Sequence, residues 1–267
     1  MNENRTEDVV EMVKTVLNDY ENDRDIDQIN IYNKPDKEEV RELVRDLFRI
    51  VFPGYFKDKS VKIYNPKNSM AVVMENVFYH LNKQVTLALD FCKRRGTLTK
   101  EEREKESYSI CRRFFEKLPT VREYVETDLQ AAYDGDSAAG CKEEIIPAYP
   151  GLMASTVNRI AHELYLLHVP VLPRIMTEYA HSLTGIDIHP GATIEDNVTI
   201  YAGASVLGGD TAIGKNAVIG GNAFITSSIP GDARVSIKNQ ELEYRTGKNQ
   251  GRKTEEIHQS EEWYYII

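Results

Sequence analysis

Cysteine is scarce in this chain of 267 residues, with Cys92, Cys111 and Cys141 the only three. They stand far apart and show no metal-ligand spacing. That argues against a disulfide framework or a cysteine-built metal centre, and it fits reduced thiols in a cytoplasmic protein. A run of roughly 18 apolar residues is also lacking, so no membrane span is expected. The opening "MNENRTEDVVEMVKTVL" has neither a basic n-region nor an apolar h-region, which argues against secretion. Excess positive charge is missing too. With 42 acidic against 33 basic residues and a formal charge of -9, the surface repels phosphate backbones, and nucleic acid is not an expected partner.

What is present divides the chain by period. From Glu7 to about Phe115 the apolar residues recur at three and four. Val9, Met12, Val13 and Val16 form one such face. Val40, Leu43, Val44, Leu47 and Val51 form another, opened by Pro35 and stopped by "FPGY". "MAVVMENVFYHLNKQVTLALDFC" predicts a third helix, and the segment from Lys105 to Gly135 predicts two more on either side of Pro119. "DGDSAAG" interrupts the pattern. A last helical group, "MASTVNRIAHELYLLHVPVLPRIMTEYAHSLTG", is broken at Pro170 and Pro173. His162 and His181 lie on this helical scaffold, where packing and a local hydrogen bond account for them.

After Gly185 the period becomes six. Ile188, Ile194, Ile200, Val206, Ile213, Ile219 and Ile225 recur at that spacing, with one extra residue between Val206 and Ile213. Small and turn-forming residues lie between them. Six fits neither a hairpin sheet nor a helix, and it predicts a solenoid of short parallel strands, three hexads to each triangular turn of the left-handed type. The fold expected is therefore α plus left-handed parallel β-helix. Residues 1–184 would form an all-helical N-terminal domain, 185–230 a shortened hexapeptide-repeat solenoid, and 231–267 a polar C-terminal tail. So short a stack would depend on its helical cap and on association with other copies. The tail ends "EEWYYII", which reads either as a fraying end or as a docking peptide.

The order "GDSAA", "YPGLMA", "RIAHELY", "LPRIMTEYAHSLTGIDIHPGA" and then hexads resembles the serine O-acetyltransferase family, strongly from about Asp128 to Pro230. The resemblance implies direct transfer of an acetyl group from acetyl-CoA to the hydroxyl of L-serine, in cysteine biosynthesis. No tightly bound cofactor and no metal are implied, and acetyl-CoA is a co-substrate. A histidine deprotonates the serine and an aspartate orients it, a pairing suited to imidazole chemistry near neutral pH. Asp187 in "GIDIHP" matches the dyad aspartate. Asp136 in "GDSAA" matches the carboxylate that holds serine, while its other reading is a helix cap or turn residue. Ala202, Gly203, Gly220 and Gly221 match later coils along which the family holds the pantetheine arm, though tight corners alone would also demand them. Lys215 could meet a CoA phosphate or could be a solvated corner lysine. The resemblance further implies a homotrimer or a dimer of trimers, feedback inhibition by cysteine, and docking of Ile267, with Ile266 and Trp263 beside it, into cysteine synthase.

One part of the family pattern is missing. Neither the "DHGTG"-like turn that carries the family's catalytic histidine nor the "RHP"-like segment is present, and "HPGAT" leads directly into "IEDNVTIYAGASVLGG". His189 is the single histidine of the repeat region. It reads as a structural or loop residue, or as a replacement base on the same strand face as Asp187. Two functions follow: a serine O-acetyltransferase of low activity, or a catalytically impaired homologue that serves as a regulatory or scaffold partner of cysteine synthase.

Overall fold

The computed structural model describes residues 3–22, 24, 26, 34–56, 66–91 and 98–238. Trp263, Ile266 and Ile267 lie outside them. Helix α1 spans Glu3–Asp19. Its apolar face forms where expected but is not covered, since Val9, Met12, Val13 and Val16 are 50–66% exposed. Helix α2, Lys37–Val51, starts at Asp36, whose carboxylate accepts the Glu38 and Glu39 amides at 2.8 and 2.9 Å. Such a cap satisfies two donors that the helix cannot pair itself. Its buried face is Val40, Leu43, Val44, Leu47 and Val51, as the three-and-four spacing predicts.

Helix α3 spans Pro66–Phe91, and α4 spans Lys100–Gly135 behind a capping box of Thr99 and Glu102. Pro119 does not divide α4, contrary to the sequence expectation. The lost hydrogen bond at Pro119 is outweighed by one continuous buried stripe, Phe114, Leu118, Val121 and Val125, which a break would split. A short helix that periodicity did not predict, α5 at Lys142–Ala148, follows the glycine-rich interruption. Helix α6, Pro150–Leu166, opens with proline in its first turn. Helix α7, Leu172–Thr184, ends at Gly185 in the left-handed region, with φ of 70°.

The period-six region makes three short parallel sheets. Strands β1 (Asp187–Ile188), β4 (Ser205–Val206) and β7 (Phe224–Ile225) stack on one face, and β2 (Thr193–Ile194) stacks with β5 (Ala212–Ile213) on the second. On the third face lie β3 (Thr199–Ile200), β6 (Val218–Ile219) and β8 (Arg234–Val235). Asp187 pairs with Ser205 eighteen residues on, and Ser205 with Phe224 nineteen on, which places the extra residue in the second coil. Ile188, Val206 and Ile225 form one interior column, and Ile200, Ile219 and Val235 another. The ladder thus continues past Pro230 to Val235. Alternate residues point outward and the branched ones inward, so the six-residue period is the geometry of a three-sided parallel prism.

One corner of the prism carries a side-chain ladder. Asn197 donates from Nδ2 to Asn216 Oδ1, and Asn216 from Nδ2 to Asp232 Oδ1, each at 2.8 Å. All three residues hold φ near +60°, a conformation that Asn and Asp tolerate better than other side chains do.

The helices close the open edge of the first coil. Arg159 donates from Nη1 to the Ile194 carbonyl and from Nη2 to the Glu195 carbonyl, both at 2.8 Å. Asn158 donates to the His189 carbonyl at 3.1 Å, and Thr127 Oγ1 accepts the Asn197 amide at 3.0 Å. A strand edge left bare is costly and prone to pairing with other chains. Here side chains of α4 and α6 supply the partners that a preceding coil would have given.

Candidate functional site

The Asp187–His189 pair sits where α7 runs into the first rung. Backbone bonds fix both positions, Asp187 N–H to Ala204 O and His189 N–H to Val206 O, each at 3.0 Å. Ile188 between them is buried, so Asp187 and His189 share the outer face. Among the described residues no hydrogen bond joins the two side chains. Asp187 Oδ1 instead accepts from Arg174 Nη1 at 3.3 Å, and Arg174 also pairs with Glu178 one turn along α7.

His189 is held by backbone. Its Nδ1 accepts the Gly191 amide at 3.0 Å, which leaves the proton of the neutral ring on Nε2. A methyl group at Gly208 would collide with the ring, and one at Gly191 would press on Tyr165 at 2.9 Å. The two glycines therefore let the imidazole lie flat against the corner, with Tyr165 edge-on at 6.1 Å. Burial lowers the His189 pKa from its ordinary value, and the nearby Arg174 guanidinium lowers it further against the opposing pull of Asp187. The neutral, Nε2-protonated ring is a hydrogen-bond donor, and its acceptor nitrogen is already in use.

His162 has the opposite tautomer. It donates from Nδ1 to the Pro190 carbonyl at 2.8 Å and stacks on Tyr165 at 6.3 Å. The expected packing role is present, whereas the hydrogen bond is not local but joins α6 to the first coil 28 residues on. His181 lies 3.6 Å from Glu178.

Asp136 ends α4. One carboxylate oxygen accepts the Ala138 amide at 2.9 Å and the other the Tyr149 hydroxyl. The turn role is therefore present in the structure. The same contact pushes the Tyr149 hydroxyl up to about 12, because ionising it would forfeit the hydrogen bond it donates to Asp136 and then place two negative charges together. Tyr149 begins α6 and Asn158, which touches His189, is nine residues on, roughly 14 Å along a helix axis. The first-coil neighbour of this end of α4 is Tyr201, beside Gly135, and not Asp187 or His189.

The candidate acetyl-CoA positions lie on the later corners. A Cβ at Gly220 would stand 2.7 Å from the Val235 carbonyl oxygen, and one at Gly221 3.1 Å from that of Ala202. At Gly203 it would meet Asn222, whose amide donates to Ala202 O at 3.1 Å. Close stacking of coils thus explains these small residues. Lys215 is exposed and its ammonium lies 3.3 Å from Asp196. Sequence reasoning missed Arg174 and Arg159, although both stand in quoted motifs. Arg159, inside an apolar helical stretch, was the available signal for a buried cation.

The protein named "Serine acetyltransferase, plasmid" from Synechococcus elongatus is 34% identical over 166 residues, 61% of this chain and 52% of that protein. A serine acetyltransferase of Synechocystis sp. is 43% identical over 71 residues, 27% of this chain and 28% of its own length. This chain is homologous, over part of its length, to serine acetyltransferases. It spans about half of the first relative and under a third of the second. The solved structure of Entamoeba histolytica serine acetyltransferase 1 in complex with L-cysteine aligns with a TM-score of 0.54 at 25% identity, covering 76% of this chain and 87% of that one. The shared fold is a helical bundle followed by a parallel, hexapeptide-repeat-like β region. No protein-family model matches the chain. Among the described residues no helix is long and apolar enough to cross a membrane, and no cluster of three or more ligating side chains could hold a metal.

Proposed function

We propose that the chain is a slow serine O-acetyltransferase, moving the acetyl group of acetyl-CoA directly to the hydroxyl of L-serine and releasing CoA and O-acetyl-L-serine in a cytoplasmic route to cysteine. The observation that carries this reading is the display of Asp187 and His189 on the outer face of the first rung, in a chain homologous to serine acetyltransferases. Asp136 keeps lone pairs beyond its two present bonds and would take the serine ammonium. Ala202, Gly203, Gly220, Gly221 and Lys215 would border the pantetheine and phosphate path along a left-handed β-helix. The separation of Asp136 from His189 supports a site completed between copies, in a trimer or a dimer of trimers. Exposed Phe224 and Leu207 on the same outer face supply apolar surface for such packing.

Turnover is slow because the transfer needs a base at the serine hydroxyl. His189 offers Nε2–H outward and has Nδ1 bonded to the Gly191 amide, so it must break that bond or change tautomer before accepting a proton. The same bond favours a second reading, in which the chain is a non-catalytic partner of cysteine synthase that docks through Ile267, Ile266 and Trp263. Serine-dependent release of CoA from acetyl-CoA, measured beside H189A and D187A, separates the two. Slow turnover lost in both variants supports the enzyme. Turnover no greater than the serine-free background removes it and leaves the partner reading, which pull-down of the synthase with and without Ile267 then tests.

A further inference from the structure

A cleft of about 460 Å³ opens between α2, the start of α6 and α7, on the helical side of the molecule. That volume lies in the range of small-molecule sites. Its walls are aromatic, including Phe48, Tyr55, Phe56, Tyr149 and Tyr179, and Phe48 and Phe56 meet edge to face at 5.6 Å. Among the described residues its charged lining is Arg45 and Arg49, with no acidic side chain, although the chain as a whole is acidic. Arg49 is paired with Asp46. Arg45 is exposed and donates from Nε to the Tyr179 hydroxyl at 3.3 Å, an uncharged partner. Glu42 and Glu38 lie near Arg45 on α2 but do not line the cavity.

We propose that this cleft binds a small aromatic carboxylate, the ring seated among Phe48, Tyr55, Phe56 and Tyr179 and the carboxylate on Arg45. Ring stacking supplies affinity without demanding a particular ring, and the guanidinium fork selects a planar anion over a neutral analogue. Tyr149 joins this wall to Asp136 by its hydroxyl, yet the site stands on its own lining and not on the acetyl-transfer reading.

The test is calorimetric titration of the full chain with 2-naphthoate and with its uncharged counterpart 2-naphthamide. Naphthoate should saturate one site per chain and bind at least tenfold tighter than the amide. R45Q should weaken naphthoate roughly tenfold, the scale of one charge-assisted hydrogen bond. R112Q, which changes charge on the exposed face of α4, should leave binding unaltered. Arg45 is exposed, and an unchanged melting curve will show that R45Q is folded. Equal binding of acid and amide, unchanged affinity in R45Q, a matching loss in R112Q, or no saturation below about 1 mM would each overturn the proposal. None of these readouts depends on whether the chain transfers acetyl groups.

Discussion

Arg159 holds Asp128 through two parallel hydrogen bonds, Nε to Oδ2 and Nη2 to Oδ1, each 2.8 Å long, with both residues buried. Its guanidinium also lies 4.7 Å from the Tyr124 ring centroid and reaches two carbonyls of the first coil. One side chain thus ties α4 and α6 to the edge of the solenoid. Burial pushes the Asp128 carboxyl up from its ordinary range, while Arg159 draws it down.

Removing one partner of this pair strands a buried charge on the other. R159A and D128A should each lower unfolding stability by about 3–5 kcal/mol. R159K should recover only part, because an ammonium cannot reproduce the fork to Asp128 and also reach both carbonyls. Denaturant unfolding followed by circular dichroism reads this directly. A loss under about 1 kcal/mol in both alanine variants would mean that the pair is solvated and is not the clamp described.

His189 should titrate below its ordinary value of about 6.5. Burial is the first cause and Arg174 the second, so R174Q should move the midpoint upward, as seen in the imidazole resonances by NMR. The folded form binds its proton less readily than the unfolded chain does. The stability linked to this group is therefore complete above the unfolded value and falls as pH drops through it toward the lowered folded value. H189Q should flatten that part of the pH–stability curve. A midpoint at or above 6.5 in the intact protein would contradict the burial and charge environment assigned to the ring.

Gly208 lets the His189 ring lie against the corner. G208A places a methyl group in the space that the ring occupies, against a rung fixed by His189 N–H to Val206 O. The ring must leave, the Gly191 bond to Nδ1 must break, and overpacking should cost about 1–3 kcal/mol. If release of Nδ1 creates a usable base, G208A will release CoA faster per folded molecule than the parent chain. An unshifted His189 resonance in G208A would show that the corner has room to spare.

How much of this was legible in the sequence depends on the kind of interaction. The rungs were legible because Ile188, Ile194, Ile200, Val206, Ile213, Ile219 and Ile225 report burial through spacing alone, and each became an inward position of a strand. Pro119 misled because a local rule was applied where the stripe from Phe114 to Val125 held the helix together. Helix α5 is too short to show a period. The environment of Asp187 and His189 was illegible for another reason. Their positions on one strand face followed from period two, but the choice of partner, Arg174 for one and the Gly191 amide for the other, depends on how α7 enters the first coil. That is tertiary information, which no count of residues between motifs contains.

Cys111 and Cys141 should differ sharply as thiols. Cys111 is fully buried on α4, and burial pushes its thiol up to about 12, only partly opposed by Ser107. About one molecule in ten thousand would then carry the thiolate at pH 8, and the thiolate is the reacting species. Cys141 is exposed just ahead of α5. With Cys92, which lies outside the described residues, replaced by serine, a disulfide-exchange reagent at pH 8 should label one thiol quickly. C141S should abolish that fast phase, and denaturant should reveal the second thiol. Because Cys111 sits among the buried residues of α3 and α4, its labelling rate also reports opening of the helical core. It should rise in R159A if the clamp at Asp128 keeps α4 against α6. Two fast thiols in the folded parent would mean that Cys111 is reached by solvent, and that the packing between α3 and α4 is looser than described.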